Sequence, residues 1–476
     1  MNISGLIFLL AVHFLTGRGV LGLFKIKGKL TTIVPLSFIV GVVLVSMVPM
    51  VLEMCHIDIT TSSVIVAVSL LAASTSGLAA RNFDFKVWKK ISVPAIRLYE
   101  WIFIILFVLL MLPSVWRCYY YPPSARDVLS GPEPIAEFTV REHTMINSAL
   151  TVDLTGTNNH LKPPFVSGLQ IVYKLLVHPF GQLWLTVLVL SFLTWLYSLL
   201  RERVHPFIAG LTMLLFICMP DPYGYTYIIL FDYSNMILFF AGVYYLSLFT
   251  AIGEKNILYF SALLFGLATF IRLETLVFCA MLVPVAGIAL YNRQKSIPAA
   301  GLHLILFLLV PFAFYYIWAG IFLKHYMPGG FSLDEQVTHA WGNVGYIFTR
   351  MSEMNSGLLF ASDSTTLYGH LCYVFLAVVL ADALFVRKFS REARVMLYGI
   401  FVVYVGLALM GYITPLFDLK NTTKRGLYKM FPLMAIYLAN SGLLQKLSAA
   451  LYAFEHAGPR EAQAQPAAKK VAVKKK

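Results

Sequence analysis

Apolar runs dominate the chain, and their length decides what they form. A helix rises about 1.5 Å per residue, so about 20 apolar residues cross a bilayer. Thirteen segments approach that length, near 2–16, 32–52, 62–80, 98–115, 181–200, 206–220, 235–251, 257–271, 275–292, 299–323, 368–386, 395–412 and 428–447. The pattern predicts an all-α polytopic membrane protein of about 13 transmembrane helices (11–13, because several runs are short), with short surface helices in the loops. The connections alternate in charge. One set is basic: Arg18, Lys25, Lys27 and Lys29; Arg81, Lys86, Lys89 and Lys90; Arg201 and Arg203; Lys255; Arg293 and Lys295; Arg387, Lys388, Arg391 and Arg394; and the Lys-rich end. Alternation puts all of these on one side, which the positive-inside rule makes cytoplasmic. Segments 116–180, 221–234, Arg272 with Glu274, 324–367 and 413–427 then face the extracytoplasmic side.

The longest polar interruption is 116–180, and it holds Asp127, Glu133, Glu137, Arg141, Glu142, His143, Asp153, His160 and Lys162. A hydrated loop of that length between spans usually carries function. Within it, Ile135, Phe138, Met145, Ile146 and Leu150 gather at spacings of three and four. They predict a helix over 132–149 lying along the membrane surface. Pro163 and Pro164 fix an extended approach and then let a helix begin at the apolar run Phe165 to Leu176.

Composition agrees with the pattern. Hydrophobic residues are 59% of 476 and charged residues 13%, with a mean hydropathy of +0.76. A soluble domain has about a quarter charged residues. The net charge of +14 sits mostly in short loops and the tail, so it does not signal nucleic acid. Five scattered cysteines make neither a disulfide framework nor a metal cluster. The start lacks a basic leader and a small-residue cleavage site, so residues 5 to 15 are expected to belong to the first span. Residues 454–476 are Ala, Pro, Gln and Lys and are expected to be a disordered, basic cytoplasmic tail. No repeat at a fixed period appears, which speaks against a transporter built from inverted halves.

Three places carry candidate chemistry. In the long loop, Asp127 and Glu133 follow the fourth span. A carboxylate at a membrane surface serves as general base or binds a cation. Lys162, before the two prolines, aims a compact positive charge at an anion near the membrane. Arg272 and Glu274 interrupt about 35 apolar residues, and charges at that depth face a cavity or a partner. Lys420, Lys424, Arg425 and Lys429 face a single Asp418 in an outward loop, against the positive-inside rule; binding a phosphate explains them. His143, His160, His325 and His339 lack a metal spacing, so no zinc site is expected.

The order of these features resembles the GT-C superfamily of membrane glycosyltransferases, specifically the lipid A aminoarabinose transferases and protein O-mannosyltransferases. Arg141-Glu142-His143 lies about twenty residues before Lys162-Pro163-Pro164, similar to the Arg-Glu-Met and Lys-Pro-Pro segments of the aminoarabinose transferases. The family's acidic pair aligns on Pro132-Glu133, so its Glu is matched while the nearest Asp is Asp127. Asp232-Tyr233-Ser234-Asn235, Arg272-Leu273-Glu274, and Lys424-Arg425-Gly426-Leu427-Tyr428 resemble later family segments. The resemblance covers roughly 100–445. It divides the chain into N-terminal helices (1–97) outside it, a GT-C-like catalytic core (98–453) and the tail (454–476).

What the resemblance implies is a glycosyltransferase of the bacterial inner membrane with an extracytoplasmic active site. It would move a sugar from a polyprenyl-phosphate donor to a glycan, lipid or protein of the cell envelope. Asp127 or Glu133 would be the base, and Lys162, Arg272, Lys424 and Arg425 would hold the donor phosphate. Arg141, Glu142, His143, His160, Asp232, Glu274 and Tyr428 would line the same cavity. A divalent cation on the carboxylates is compatible, since some relatives use one. The alternatives are an O-antigen ligase or polymerase, whose large loop is expected later in the chain, and a polyprenyl-lipid flippase or transporter.

Overall fold

The computed structural model describes residues 2–80, 96–152, 162–327, 345–414 and 417–456. Among these no strand occurs, and helices account for the architecture. Nine of the helices are long and apolar enough to cross a membrane: Ile3–Leu23, Leu30–Met54, Thr61–Ala79, Leu98–Tyr120, Leu183–Arg201, Phe231–Ile252, Thr275–Gln294, Ile297–Leu323 and Arg391–Ile413. The protein is an integral membrane protein.

Nine of the thirteen expected segments form long helices among the described residues, and the other four form shorter or broken ones for local reasons. Runs 206–220, 257–271 and 368–386 form the shorter helices Pro206–Ile217, Lys255–Ile271 and Leu371–Val386. Run 428–447 is broken into a tight turn at Leu427–Met430, a helix Phe431–Asn440 and a separate helix Gly442–His456. That last helix runs past the expected tail boundary at 454, whereas 457–476 lies outside the described residues. Arg18 is not in a loop but buried inside the first helix.

Glycine sets how closely the first helices approach. A Cβ built on Gly17 would fall 1.8 Å from the Ser37 carbonyl oxygen, and one on Gly41 1.8 Å from that of His13. Small residues let two membrane helices touch along their backbones. The N-terminal helices also pack on the rest: Leu30–Val45 lies against Leu183–Arg201, joined by a Ser198–Thr31 hydroxyl bond of 2.7 Å.

The centre of the molecule is Phe231–Ile252, buried along almost its whole length. It packs against Lys255–Ile271, Arg391–Ile413 and the Leu427–Met430 turn. The long loop folds over its head as short helices at Arg126–Leu129, Pro132–Glu142, Ser148–Thr151 and Phe165–Leu176. The expected helix over 132–149 ends early, at Glu142. His143 takes a left-handed conformation (φ 63°), which cannot continue a helix, and its main chain pairs with Ile59 instead. Met145 and Leu150 still turn inward, while Phe138 is partly exposed.

Candidate functional site

The head of the central helix gathers charge from five separate segments. Asp232 sits in the first turn of Phe231–Ile252, where the helix dipole favours a carboxylate, and is 2% exposed. Arg272 ends the Lys255–Ile271 helix in an extended conformation and donates from Nη1 to Asp232. Its Nε lies 2.6 Å from Glu274 Oε1, an ion contact without hydrogen-bond alignment. Asn235, one turn below Asp232, donates to the Ala268 carbonyl at 2.7 Å and to Thr275 Oγ1 at 2.9 Å. That bond fixes the corner that carries Arg272 and Glu274.

The turn at 424–429 supplies two rungs of cations. Arg425 donates from Nη1 to Asp127 Oδ2 at 2.9 Å and holds its Nε 3.7 Å from Asp232 Oδ2. Lys429, fully buried, lies 3.6 Å from Glu274 Oε1 and over the Phe278 ring. On the adjacent face of the same turn, Lys424 Nζ meets Asp221 Oδ1 at 3.0 Å and the Tyr428 hydroxyl donates to Asp221 Oδ2. Positions i and i+4 share a helix face, so Lys424 with Tyr428 and Arg425 with Lys429 point two ways. Burial works against the Arg425 charge, but Asp232, Tyr225 and Asp127 outweigh it and raise its pKa.

Lys162 stands beside this cluster, with Nζ 5.2 Å from the Phe231 ring centre. Burial first, then Arg272 and Arg425, lower its pKa to about 8. Lys162 also lines a narrow cleft whose other walls include Ile135, Leu150, Trp318, Phe322 and Met327. Apolar walls with one cation among them suit an amphiphile with an anionic head. Among the described residues, Lys162, Arg272, Arg425 and Lys429 stand against Asp127, Asp232 and Glu274, four cations to three carboxylates. That surplus favours an anion.

The structure thus brings Asp127, Lys162, Asp232, Arg272, Glu274 and Arg425 together, with Lys424 and Tyr428 alongside. It does not bring Glu133, Arg141, Glu142 or His143 there. Glu133 accepts from Gln170 Nε2 at 2.7 Å and pairs with Lys174 at 2.7 Å, clamping Pro132–Glu142 onto Phe165–Leu176. Arg141 forms an exposed pair with Glu137, and Glu142 accepts from the Ser148 amide at 2.8 Å. His143 Nδ1 lies 3.2 Å from the Ile59 carbonyl. His160 lies outside the described residues, as do Asp153, His339 and Trp341.

Sequence reasoning passed over Asp221, although an acid between Pro220 and Pro222 at the end of an apolar run was a readable signal. Lys429 was visible only as one of a basic run. A divalent cation needs several oxygen ligands in one place. Among the described residues no group of three or more His, Cys, Asp or Glu side chains suits one, and Asp127 and Asp232 both face guanidiniums. Among the described residues the donor set does not fit a metal. Comparison with protein-family models, with curated proteins and with solved structures gives no match.

Proposed function

We propose that the chain is a membrane glycosyltransferase that uses a polyprenyl-phosphate sugar on the extracytoplasmic side. The observation that carries this reading is the Asp127–Arg425–Asp232–Arg272 chain of ion pairs beside Lys162, assembled from residues up to 298 apart in sequence. Buried charges in a membrane protein are costly and mark a working site. A surplus of guanidinium and ammonium donors is what a phosphate leaving group needs as charge builds on it.

In this reading the lipid chain lies along the apolar cleft and its phosphate meets Lys162, Arg425 and Arg272. Asp127 takes the proton from the acceptor hydroxyl. Its carboxylate is 46% exposed, whereas that of Asp232 is 2% exposed, so Asp127 alone of the two can meet a second substrate. Asp232 instead holds both guanidiniums in place. Direct attack inverts the anomeric carbon. The orientation follows from the seven basic groups on the opposite side of the bilayer.

The test is transfer from a radiolabelled polyprenyl-phosphate sugar by the full chain in liposomes, with the acceptor pool supplied as envelope extract. Activity that persists in EDTA and disappears in Arg425→Gln supports the reading. Absence of transfer together with absence of polyprenyl-phosphate binding overturns it.

A further inference from the structure

The helix Gly442–His456 lies across the basic end of the molecule, away from the ion-paired cluster. Its Leu443 amide donates to Asp382 Oδ1 at 2.9 Å, and Gln445 Nε2 donates to the Arg203 carbonyl at 2.8 Å. Ser448 Oγ accepts from the His205 amide at 2.7 Å. Glu455 pairs with Arg97 and lies 3.0 Å from His205 Nε2, and the Tyr452 ring packs edge-on against that imidazole. Each of these partners sits at the end of an apolar helix. Arg97 precedes Leu98–Tyr120, Arg203 follows Leu183–Arg201, His205 caps Pro206–Ile217, and Asp382 lies in the closing turn of Leu371–Val386. A helix tied in succession to the ends of four apolar helices runs along the membrane surface, not through it.

Its side chains fall into three sectors. At 3.6 residues per turn, Leu443, Leu447, Ala450 and Phe454 point within about 60° of one another. All four are exposed, Leu447 at 49% and Phe454 at 80%. Leu444, Ser448, Leu451 and Glu455 make the adjoining sector, which faces the protein. Lys446, Ala449, Ala453 and His456 are exposed and complete the circle. A helix packed on a protein in water needs only an inner and an outer face. An additional apolar stripe, open and bordered by a lysine, belongs in the headgroup region of a bilayer.

Charge selects the lipid. Glu455, the one carboxylate of the helix, is taken by Arg97, whereas Lys446 and the neighbouring Arg387 and Lys388 are exposed. The sequence after the helix adds Arg460, Lys469, Lys470, Lys474, Lys475 and Lys476 against Glu461. It contains no Leu, Ile, Met or aromatic residue with which to cover the stripe.

We propose that Gly442–His456 is an interfacial anchor selective for anionic glycerophospholipid. The stripe from Leu443 to Phe454 sinks into the leaflet at the basic end, and the lysines that follow gather anionic headgroups beside it. This surface is independent of the transferase reading, because it shares no residue with the cluster around Arg425.

The experiment uses the full chain, freed of its native cysteines and reconstituted at one copy per nanodisc of phosphatidylcholine and phosphatidylglycerol. Spin labels are placed singly on Leu447→Cys, Phe454→Cys, Ala449→Cys and Ala453→Cys. Labels at 447 and 454 should collide with dissolved oxygen and be shielded from a water-soluble nickel chelate. Labels at 449 and 453 should show the reverse. In a second measurement, a fluorophore on Ala453→Cys transfers energy to a fluorescent lipid. Half-maximal transfer should need about fivefold less fluorescent phosphatidylglycerol than fluorescent phosphatidylcholine, the worth of one lysine near an anionic surface. Changing the five lysines at 469, 470, 474, 475 and 476 to Gln, or raising the salt, should erase that preference. A label at 454 as open to nickel as one at 453 overturns the proposal. So does equal transfer to the two lipids in the parent. Shielding of 447 and 454 that appears only with two copies per disc also overturns it, because the stripe would then be a contact between chains.

Discussion

Arg425 and Asp127 are 298 residues apart in sequence and meet at 2.9 Å. The same guanidinium reaches Asp232 with its Nε at 3.7 Å. One side chain thus joins the long loop to the head of the central helix. It also separates the two acids that the sequence left as alternatives. Asp127 is at the cluster and half-exposed, while Glu133 is occupied by Lys174 and Gln170.

Asp127→Asn should therefore lower transfer by about 10²–10⁴-fold, the usual worth of a general base, with polyprenyl-phosphate affinity kept within a few-fold. Glu133→Gln should keep turnover and lose thermal stability, because Lys174 is left with only Glu137 and the Pro179 carbonyl. Turnover and melting temperature measured on both variants decide the matter. The reverse assignment follows if Glu133→Gln is inactive at an unchanged melting temperature.

Arg272 balances two carboxylates, Asp232 and Glu274, each less than a tenth exposed. Arg272→Met leaves Asp232 only the longer contact to Arg425 at 3.7 Å and Glu274 only Lys429 at 3.6 Å. Breaking a buried pair by removing one partner costs about 3–5 kcal/mol, so this variant should be markedly easier to unfold in a denaturant titration. Asp232→Asn should cost less, since Glu274 still pairs with Arg272 and Asp127 with Arg425. Equal stabilities for Arg272→Met and the parent would mean that the cluster carries no structural load.

What was legible in the sequence followed from length and from charge where charge does not belong. Apolar runs near 20 residues gave the nine long helices, and Arg272, Glu274 and the 420–429 cations stood out because membrane depth and an outward loop both disfavour them. The short helices were less legible. Composition cannot tell that the apolar run ends as a helix of 17 residues at Arg272, nor see that His143 turns left-handed and ends a helix seven residues early. The two acids of the loop were equally placed by spacing. Only tertiary contact puts Asp127 against Arg425, and Glu133 against a lysine 41 residues later.

Orientation is open to a direct check. Ser130 lies just after the Arg126–Leu129 helix, on the cluster end, and Ser390 caps Arg391–Ile413 at its basic end. Ser130→Cys in a background lacking the native cysteines should react with an impermeant maleimide in intact cells. Ser390→Cys should react only after permeabilisation. The opposite pattern would move the site to the cytoplasmic side and exclude an extracytoplasmic donor.

Lys162 makes donor binding depend on pH in a direction that can be worked out. Burial, with Arg272 and Arg425 nearby, lowers its pKa from 10.5 to about 8. Below that pH the ammonium is present and attracts phosphate; as pH rises through about 8 the charge is lost. Affinity for polyprenyl phosphate should thus be highest near pH 7 and fall between pH 7.5 and 9, a range chosen to bracket the pKa of about 8. Folding stability should move the other way. The unfolded chain keeps its Lys162 proton up to about 10.5 while the folded chain releases it near 8, so between those values the unfolded state binds more protons and stability rises with pH. Lys162→Arg should bind with little pH dependence over the same range, because a guanidinium stays charged. Lys162→Met should bind weakly at every pH and keep only the part of the rise in stability that Lys429 supplies, since burial lowers that lysine to about 8 as well. Titrations of affinity and of unfolding free energy from pH 6.5 to 9.5 on the three proteins read both trends at once. A parent whose affinity stays flat across the range would take Lys162 out of the phosphate site.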